Sequence, residues 1–201
     1  MKLNFTIIVT LLSLHFCIAQ NYTDEIQKYQ VHLTEEYKDP KTSPLKGEML
    51  KEFKGHEYFP IDKKYSVKAK FKRVKGKPFG MKTSSTKLKT YETYGIATFK
   101  IDGKKYKLSI YQSHRLRTMP EYKDYLFLPF MDQTNGTTSY GAGRYLDLRI
   151  PEDGKTIVID FNKAYNPYCA YSDGYSCPIP PSENYLDTKI EAGIKNPKHE
   201  H

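Results

Sequence analysis

The sequence predicts a mainly β protein: an antiparallel β-barrel or sandwich with one or two N-terminal helices. Three observations predict it. Between Tyr65 and Asn162 apolar residues recur with a period of two, the signature of strands with one buried face. Turn signals such as Asp102-Gly103 and Pro151-Glu152-Asp153-Gly154 separate these runs at hairpin spacing. Helical periodicity is confined to the residues before Gly55. Strands joined by short turns, with helices only in front, pack as an antiparallel sheet closed or folded on itself.

The elements follow in order. Ile26, Tyr29, Leu33 and Tyr37 lie three or four apart and form one apolar helical stripe over Thr23–Lys38. Asn21 or Thr23 can cap this helix, and Asp39-Pro40 stops it. Ser43-Pro44 opens a second short helix that ends near Phe53-Lys54-Gly55. Val67, Ala69 and Phe71 then alternate with Lys68, Lys70 and Lys72. Leu88 to Ile101 reads as one or two strands broken near Gly95, returning through Tyr106, Leu108 and Ile110 after a turn at Asp102-Gly103. Gln112 to Lys123 is a polar loop holding His114, Arg115 and Arg117. Leu126-Phe127-Leu128 is a short strand ended by Pro129, and residues 144–150 and 156–162 form a second hairpin. The layout is a helical front (22–55), a β body (58–192) and a loose tail (193–201) in one domain.

Residues 1–19 have the form of a secretory leader: Lys2, an apolar run from Phe5 to Ile18, then Ala19-Gln20. Cleavage after Ala19 is expected, and the protein is expected to be exported to a periplasm or beyond. Phe16 before Cys17 is too bulky for lipoprotein processing, and no later run is apolar enough to span a bilayer. The remaining cysteines, Cys169 and Cys177, read as a disulfide in an oxidising compartment. They lack further ligands for a metal, and neither metal nor cofactor is expected. The formal charge is +9, or +8 without Lys2, and no Asp or Glu interrupts Lys63–Lys89. That excess suits a polyanionic partner, but lysines on alternate strand positions without interleaved aromatics read more simply as a solvated face, and no specific nucleic acid is expected.

Five stretches carry a family resemblance. They are Phe59-Pro60-Ile61-Asp62; Tyr125-Leu126-Phe127-Leu128-Pro129-Phe130; Tyr140-Gly141-Ala142-Gly143-Arg144-Tyr145-Leu146-Asp147-Leu148; Asp160-Phe161-Asn162-Lys163-Ala164-Tyr165-Asn166-Pro167; and Cys169-Ala170-Tyr171 through Cys177-Pro178 to Pro181 and Glu183-Asn184. Together they resemble the bacterial family catalogued as domain of unknown function 1684. The resemblance covers nearly all of the expected mature chain. It implies one coherent domain and an envelope or secreted setting, and it assigns no catalytic residue.

The candidate chemistry concentrates between Leu126 and Asn184. Gly141 and Gly143 can expose backbone N–H groups to an anion beside Tyr140, and Arg144 can clamp a carboxylate or phosphate. The plainer reading pairs Arg144 with Asp132 or Asp160. Asp160 and Asn162 share the face opposite Ile159 and Phe161, where they meet water or line a pocket, and Asn166 opens a loop. Asp132, Asp147 and Asp160 offer carboxylate pairs suited to hydrolysis of envelope glycans or lipids. Tyr165, Tyr168, Tyr171 and Tyr175, with Tyr140 and Tyr145, suit glycan or peptide recognition or simply cover a loop-rich core. No GxSxG elbow or HExxH motif occurs. The leading expectation is a small polar or anionic ligand held by Asp132, Tyr140, Gly141, Gly143, Arg144, Asp160, Asn162 and Asn166. A hydrolase and a structural envelope protein with a basic surface are the alternatives.

Overall fold

A computed structural model describes residues 3–197, with side chains from Gln20 onward. The expected leader over residues 1–19, and residues 198–201 of the tail, lie outside the residues described in that detail. Helix α1 (Leu3–Lys38) ends where Asp39-Pro40 forbids another turn. It runs through Asn21 and Thr23, so neither is an N-cap. The expected stripe faces the body: Ile26 and Tyr37 are buried, Tyr29 and Leu33 half-buried. Helix α2 (Gly47–Glu52) begins later than expected, because the Ser43 hydroxyl accepts the Leu45 N–H and holds Ser43–Leu45 in a turn.

The body is one antiparallel sheet curled into a half-barrel. Its strands are β1 (Ser66–Arg73), β2 (Phe79–Met81), β3 (Lys89–Ile101), β4 (Lys104–Ser113), β5 (Tyr125–Asp132), β6 (Arg144–Arg149), β7 (Thr156–Asp160) and β8 (Tyr185–Leu186). The order is β6-β5-β4-β3-β1-β7; β2 pairs with β3, and β8 adds a short parallel contact to β5. The β3–β4 turn is the expected one: Asp102 and Gly103 take φ of 48° and 78°.

The second expected hairpin is corrected. β6 pairs with β5 and β7 with β1, so the strands flanking Pro151–Gly154 are opposite ends of the sheet. Each finds a longer antiparallel partner elsewhere, and the curl brings the ends close enough for a short turn to connect them.

β3 is a single strand with a bulge between Thr93 and Gly95. The inserted residue swaps the strand's faces. Before it, Thr93 opposes Tyr111; after it, Gly95 opposes Ile110. Tyr91 therefore points outward with Tyr111, whereas Ala97, Phe99 and Ile101 point inward. The interior is filled from every long strand, by Val67, Ala69, Phe71, Phe99, Leu108, Ile110, Leu128, Phe130, Leu146, Ile157 and Ile159.

The tail is corrected as well. Gly193–Asn196 is docked, not loose: Ile194 is 2% exposed and bridges Tyr58, and its N–H reaches the Ala164 carbonyl at 3.0 Å. No helix among the described residues is long and apolar enough to cross a membrane.

Candidate functional site

The Gly–Arg turn is not a ligand clamp. Arg144 and Asp132 pair at 2.8 Å with neither side chain exposed. The guanidinium donates to the carbonyls of Ile190 (2.8 Å), Ala192 (2.6 Å) and Ile194 (3.2 Å). Asp132 in turn accepts the N–H groups of Thr134 and Ile190 and the Thr134 hydroxyl. The alternation that turns Leu146 and Leu148 into the barrel turns Arg144 inward too, opposite Phe130. A cation buried there needs acceptors, and Asp132 with the carbonyls of residues 190–194 supplies them to the two terminal nitrogens, leaving Nε without a partner among the described residues. The Gly143 N–H is engaged as well, taken by the Tyr140 carbonyl at 3.2 Å.

The other residues of the expected site also hold the fold. Asp160 accepts the Tyr22 hydroxyl at 2.8 Å and the Asn162 side chain at 2.9 Å. Asn162, 1% exposed, bonds both the N–H and the carbonyl of Asp62, tying the link before β1 to the end of β7. Asn166 donates to the Tyr171 hydroxyl and to the Lys195 carbonyl, pinning the tail. Tyr140 reaches toward the Cys169 carbonyl. These groups do not meet around one cavity.

Asp147 lies elsewhere, at the floor of a recess of about 640 Å³. The floor is the outward side of the sheet: Tyr125 and Phe127 of β5, Tyr145 and Asp147 of β6, and Tyr91 of β3. One wall is α1, with Tyr29, His32, Leu33, Glu36 and Tyr37. The other is the loop bearing Tyr165, Tyr168, Tyr175, Cys177 and Pro178. The rings brace one another: Phe127 meets Tyr145 edge-on at 4.8 Å, and Tyr145 meets Tyr165 at 5.8 Å. The Tyr145 hydroxyl donates to the Pro178 carbonyl, fastening the loop to the floor.

Asp147 Oδ1 accepts two phenols, Tyr125 at 2.7 Å and Tyr165 at 2.6 Å. Among the described residues none bonds Oδ2, and water reaches the carboxylate through the mouth of the recess. On its other sides protein crowds it, and this desolvation raises its pKa above the usual carboxylate value; the two phenols and Arg149 act against the rise. Burial also pushes Tyr91 up to about 12 and draws Lys89, at the rim, downward. The site is thus a ring-lined hollow with one oriented, half-satisfied carboxyl group and, across it on α1, Glu36.

Four of the tyrosine candidates, Tyr145, Tyr165, Tyr168 and Tyr175, meet Asp147 here, whereas Tyr140 and Tyr171 pack in the cluster with Leu45 and Ile194. Sequence reading missed Tyr91, Tyr125, Phe127 and the α1 wall. A signal was present: β5 carries large apolar residues on both alternating sets, Leu126 and Leu128 against Tyr125 and Phe127, as a strand covered on both faces does.

Cys169 and Cys177 form the expected disulfide, closing the loop that carries Tyr175. Cys169→Ser is expected to lower stability by about 2–3 kcal/mol on loop-closure entropy. Thermal melts with and without reductant check it, since the variant should differ from the parent only under oxidising conditions. Among the described residues no cluster could hold a metal ion.

A family model described as "Protein of unknown function (DUF1684)" matches residues 51–195, spanning the sheet, the recess floor and the cystine loop. The solution NMR structure of an uncharacterized protein from Haloarcula marismortui is similar, with 32% identity and a TM-score of 0.67, covering 90% of this chain and 98% of that one. No curated protein matches.

Proposed function

The chain belongs to the DUF1684 family of proteins of unknown function, and on that premise we propose that it binds a small, uncharged polar ligand with a flat apolar face, such as a saccharide unit, in the recess floored by Asp147. The observation that carries this is the free Oδ2 of a carboxyl group whose other oxygen is fixed by two tyrosines and whose surroundings are aromatic rings. Rings supply stacking area and hydroxyl tips, and a few convergent polar groups set orientation. The volume lies within the range of small-molecule sites. The anionic ligand expected from the Gly–Arg turn is not carried forward: Arg144 has no surface to offer, and a carboxylate on the floor repels anions.

The hydrolytic alternative keeps one of its three acids. Asp132 is sealed beneath Arg144, and Asp160 is held by Tyr22 and Asn162. Glu36, on the α1 wall, is the other carboxylate lining the recess.

Export supports the same reading, since an envelope protein meets free glycans. It rests on the leader-like residues 1–19 and on the disulfide. Reduced cysteines in protein taken from its native compartment would remove that support.

Asp147→Asn tests the site through two readouts of opposite sign. Thermal-shift screening with neutral mono- and oligosaccharides should find ligands that stabilise the parent and bind the variant roughly 10–100-fold more weakly, the effect of losing a hydrogen bond to a charged group. Without ligand, the variant should be the more stable protein at neutral pH. The folded state holds the Asp147 proton more tightly than the unfolded chain does, so stability falls as pH rises from the ordinary carboxylate range through the raised pKa. Asparagine removes that penalty, and the two proteins should converge as pH falls toward the ordinary carboxylate value. A variant destabilised at neutral pH, or saccharides that shift both proteins equally, would falsify the assignment.

A further inference from the structure

The recess leaves one large face unused. On the outward side of β1, β3 and β4, six lysines stand together: Lys68, Lys70 and Lys72 from β1, Lys100 from β3, Lys105 and Lys107 from β4. Their alternation with core residues puts them outside, and the register puts them side by side. Lys70 opposes Thr98, which opposes Lys107, and Lys100 lies directly opposite Lys105. All six are exposed, and none forms an ion pair with a described residue. The acids nearest the edges are engaged: Asp102 with Lys64 at 3.8 Å, Asp153 by the N–H groups of Lys155 and Thr156, and Asp160 by Tyr22 and Asn162. Beside Lys68 on β7 sits Val158, 56% exposed.

Like charges directly opposite one another weaken a strand pair, so Lys100 against Lys105 is a local sacrifice. Along β1 alone the lysines could be a solvated face. The structure adds that two further strands extend the same sign across the sheet with no acid among them. We propose that this face docks onto a membrane surface rich in anionic headgroups. The array spreads in two dimensions, about 13 Å along β1 and about 10 Å across three strands by ordinary strand spacings, which fits a plane of charges better than a thread. It holds lysines and no arginine or aromatic ring, so it offers point charges without bidentate forks or stacking platforms for nucleic acid. Val158 adds a small apolar contact at the same level. This inference stands independently of the recess.

Co-sedimentation of the full chain with vesicles tests it. Binding is expected to vesicles of phosphatidylglycerol mixed with phosphatidylcholine and not to phosphatidylcholine alone, and it should disappear in half-molar salt. Each lysine contributes about fivefold in partition, so Lys70→Glu with Lys107→Glu should weaken binding about a hundredfold or more. Reversing two exposed lysines elsewhere, Lys28→Glu on α1 and Lys123→Glu after β4, should weaken it far less. Reversal within a repulsive patch should leave the melting temperature unchanged or raised; if it does not, Lys70→Gln with Lys107→Gln is the comparison. The proposal is overturned if the anionic vesicles are not bound, if both double variants lose binding equally, or if the chain retains heparin or DNA while ignoring vesicles.

Discussion

Arg144→Ala is expected to destabilise the protein by about 3–5 kcal/mol, because removing one partner of a buried ion pair strands the other. Domain stabilities are only about 5–15 kcal/mol, so the variant should melt near physiological temperature or fail to fold. The loss has two parts. Asp132 is left as a charge with no counter-ion, and the carbonyls of Ile190, Ala192 and Ile194 lose their donors. Asp132→Asn combined with Arg144→Met removes the first part while an amide oxygen still accepts the Thr134 and Ile190 N–H groups, and it leaves the second part, so the double variant should recover some stability over Arg144→Ala. Arg144→Lys should fall between, since one ammonium cannot replace a planar fork aimed at Asp132, the Thr134 hydroxyl and three carbonyls. Urea unfolding followed by circular dichroism measures all three. An Arg144→Ala protein within about 1 kcal/mol of the parent, the scale of an ordinary substitution, would show the pair to be dispensable.

Gly143→Ala is expected to be nearly as damaging through shape alone. Gly143 sits at φ +93°, outside the range comfortable for an L side chain, which costs about 1–3 kcal/mol by itself. An added Cβ would also lie 2.7 Å from the Phe130 carbonyl oxygen and 2.7 Å from Pro180. Relieving that overlap means moving β5 or the proline loop, typically another 1–3 kcal/mol or so. The combined loss of about 2–6 kcal/mol should appear as a lowered urea midpoint. Gly141→Ala is the control, because its Cβ would meet nothing closer than 3.7 Å and its φ is not positive. Equal losses at the two positions would show that the turn's geometry is not what Gly143 protects.

Much of the fold was legible because it is written locally. The alternation of Val67, Ala69 and Phe71 with lysines, the Asp102-Gly103 turn and the Ile26–Tyr37 stripe each need only neighbouring residues to be read. The β6–β7 relation was misread for the complementary reason: a turn signal at Pro151–Gly154 says that the chain reverses, and not which strand each arm will pair with. Arg144 was misjudged because a charged residue following two glycines looks exposed, whereas its acceptors lie some fifty positions later, at 190–194, beyond any local pattern. The recess was half visible. Its tyrosines and Asp147 stood out individually, but α1 and the cystine loop come together over β5 and β6 only in three dimensions, and the bulge that turns Tyr91 outward leaves no mark beyond Gly95.

The clasp between Arg144 and residues 190–194 bears on when folding can finish. During translation the sheet strands leave the ribosome before the three carbonyls that accept from the guanidinium. Until they arrive, β6 cannot seat Arg144 without burying an unmet charge, so the half-barrel has reason to remain open while the chain is being made. A chain interrupted just before Ile190 would therefore be harmed as much as one with a lesion in the barrel itself.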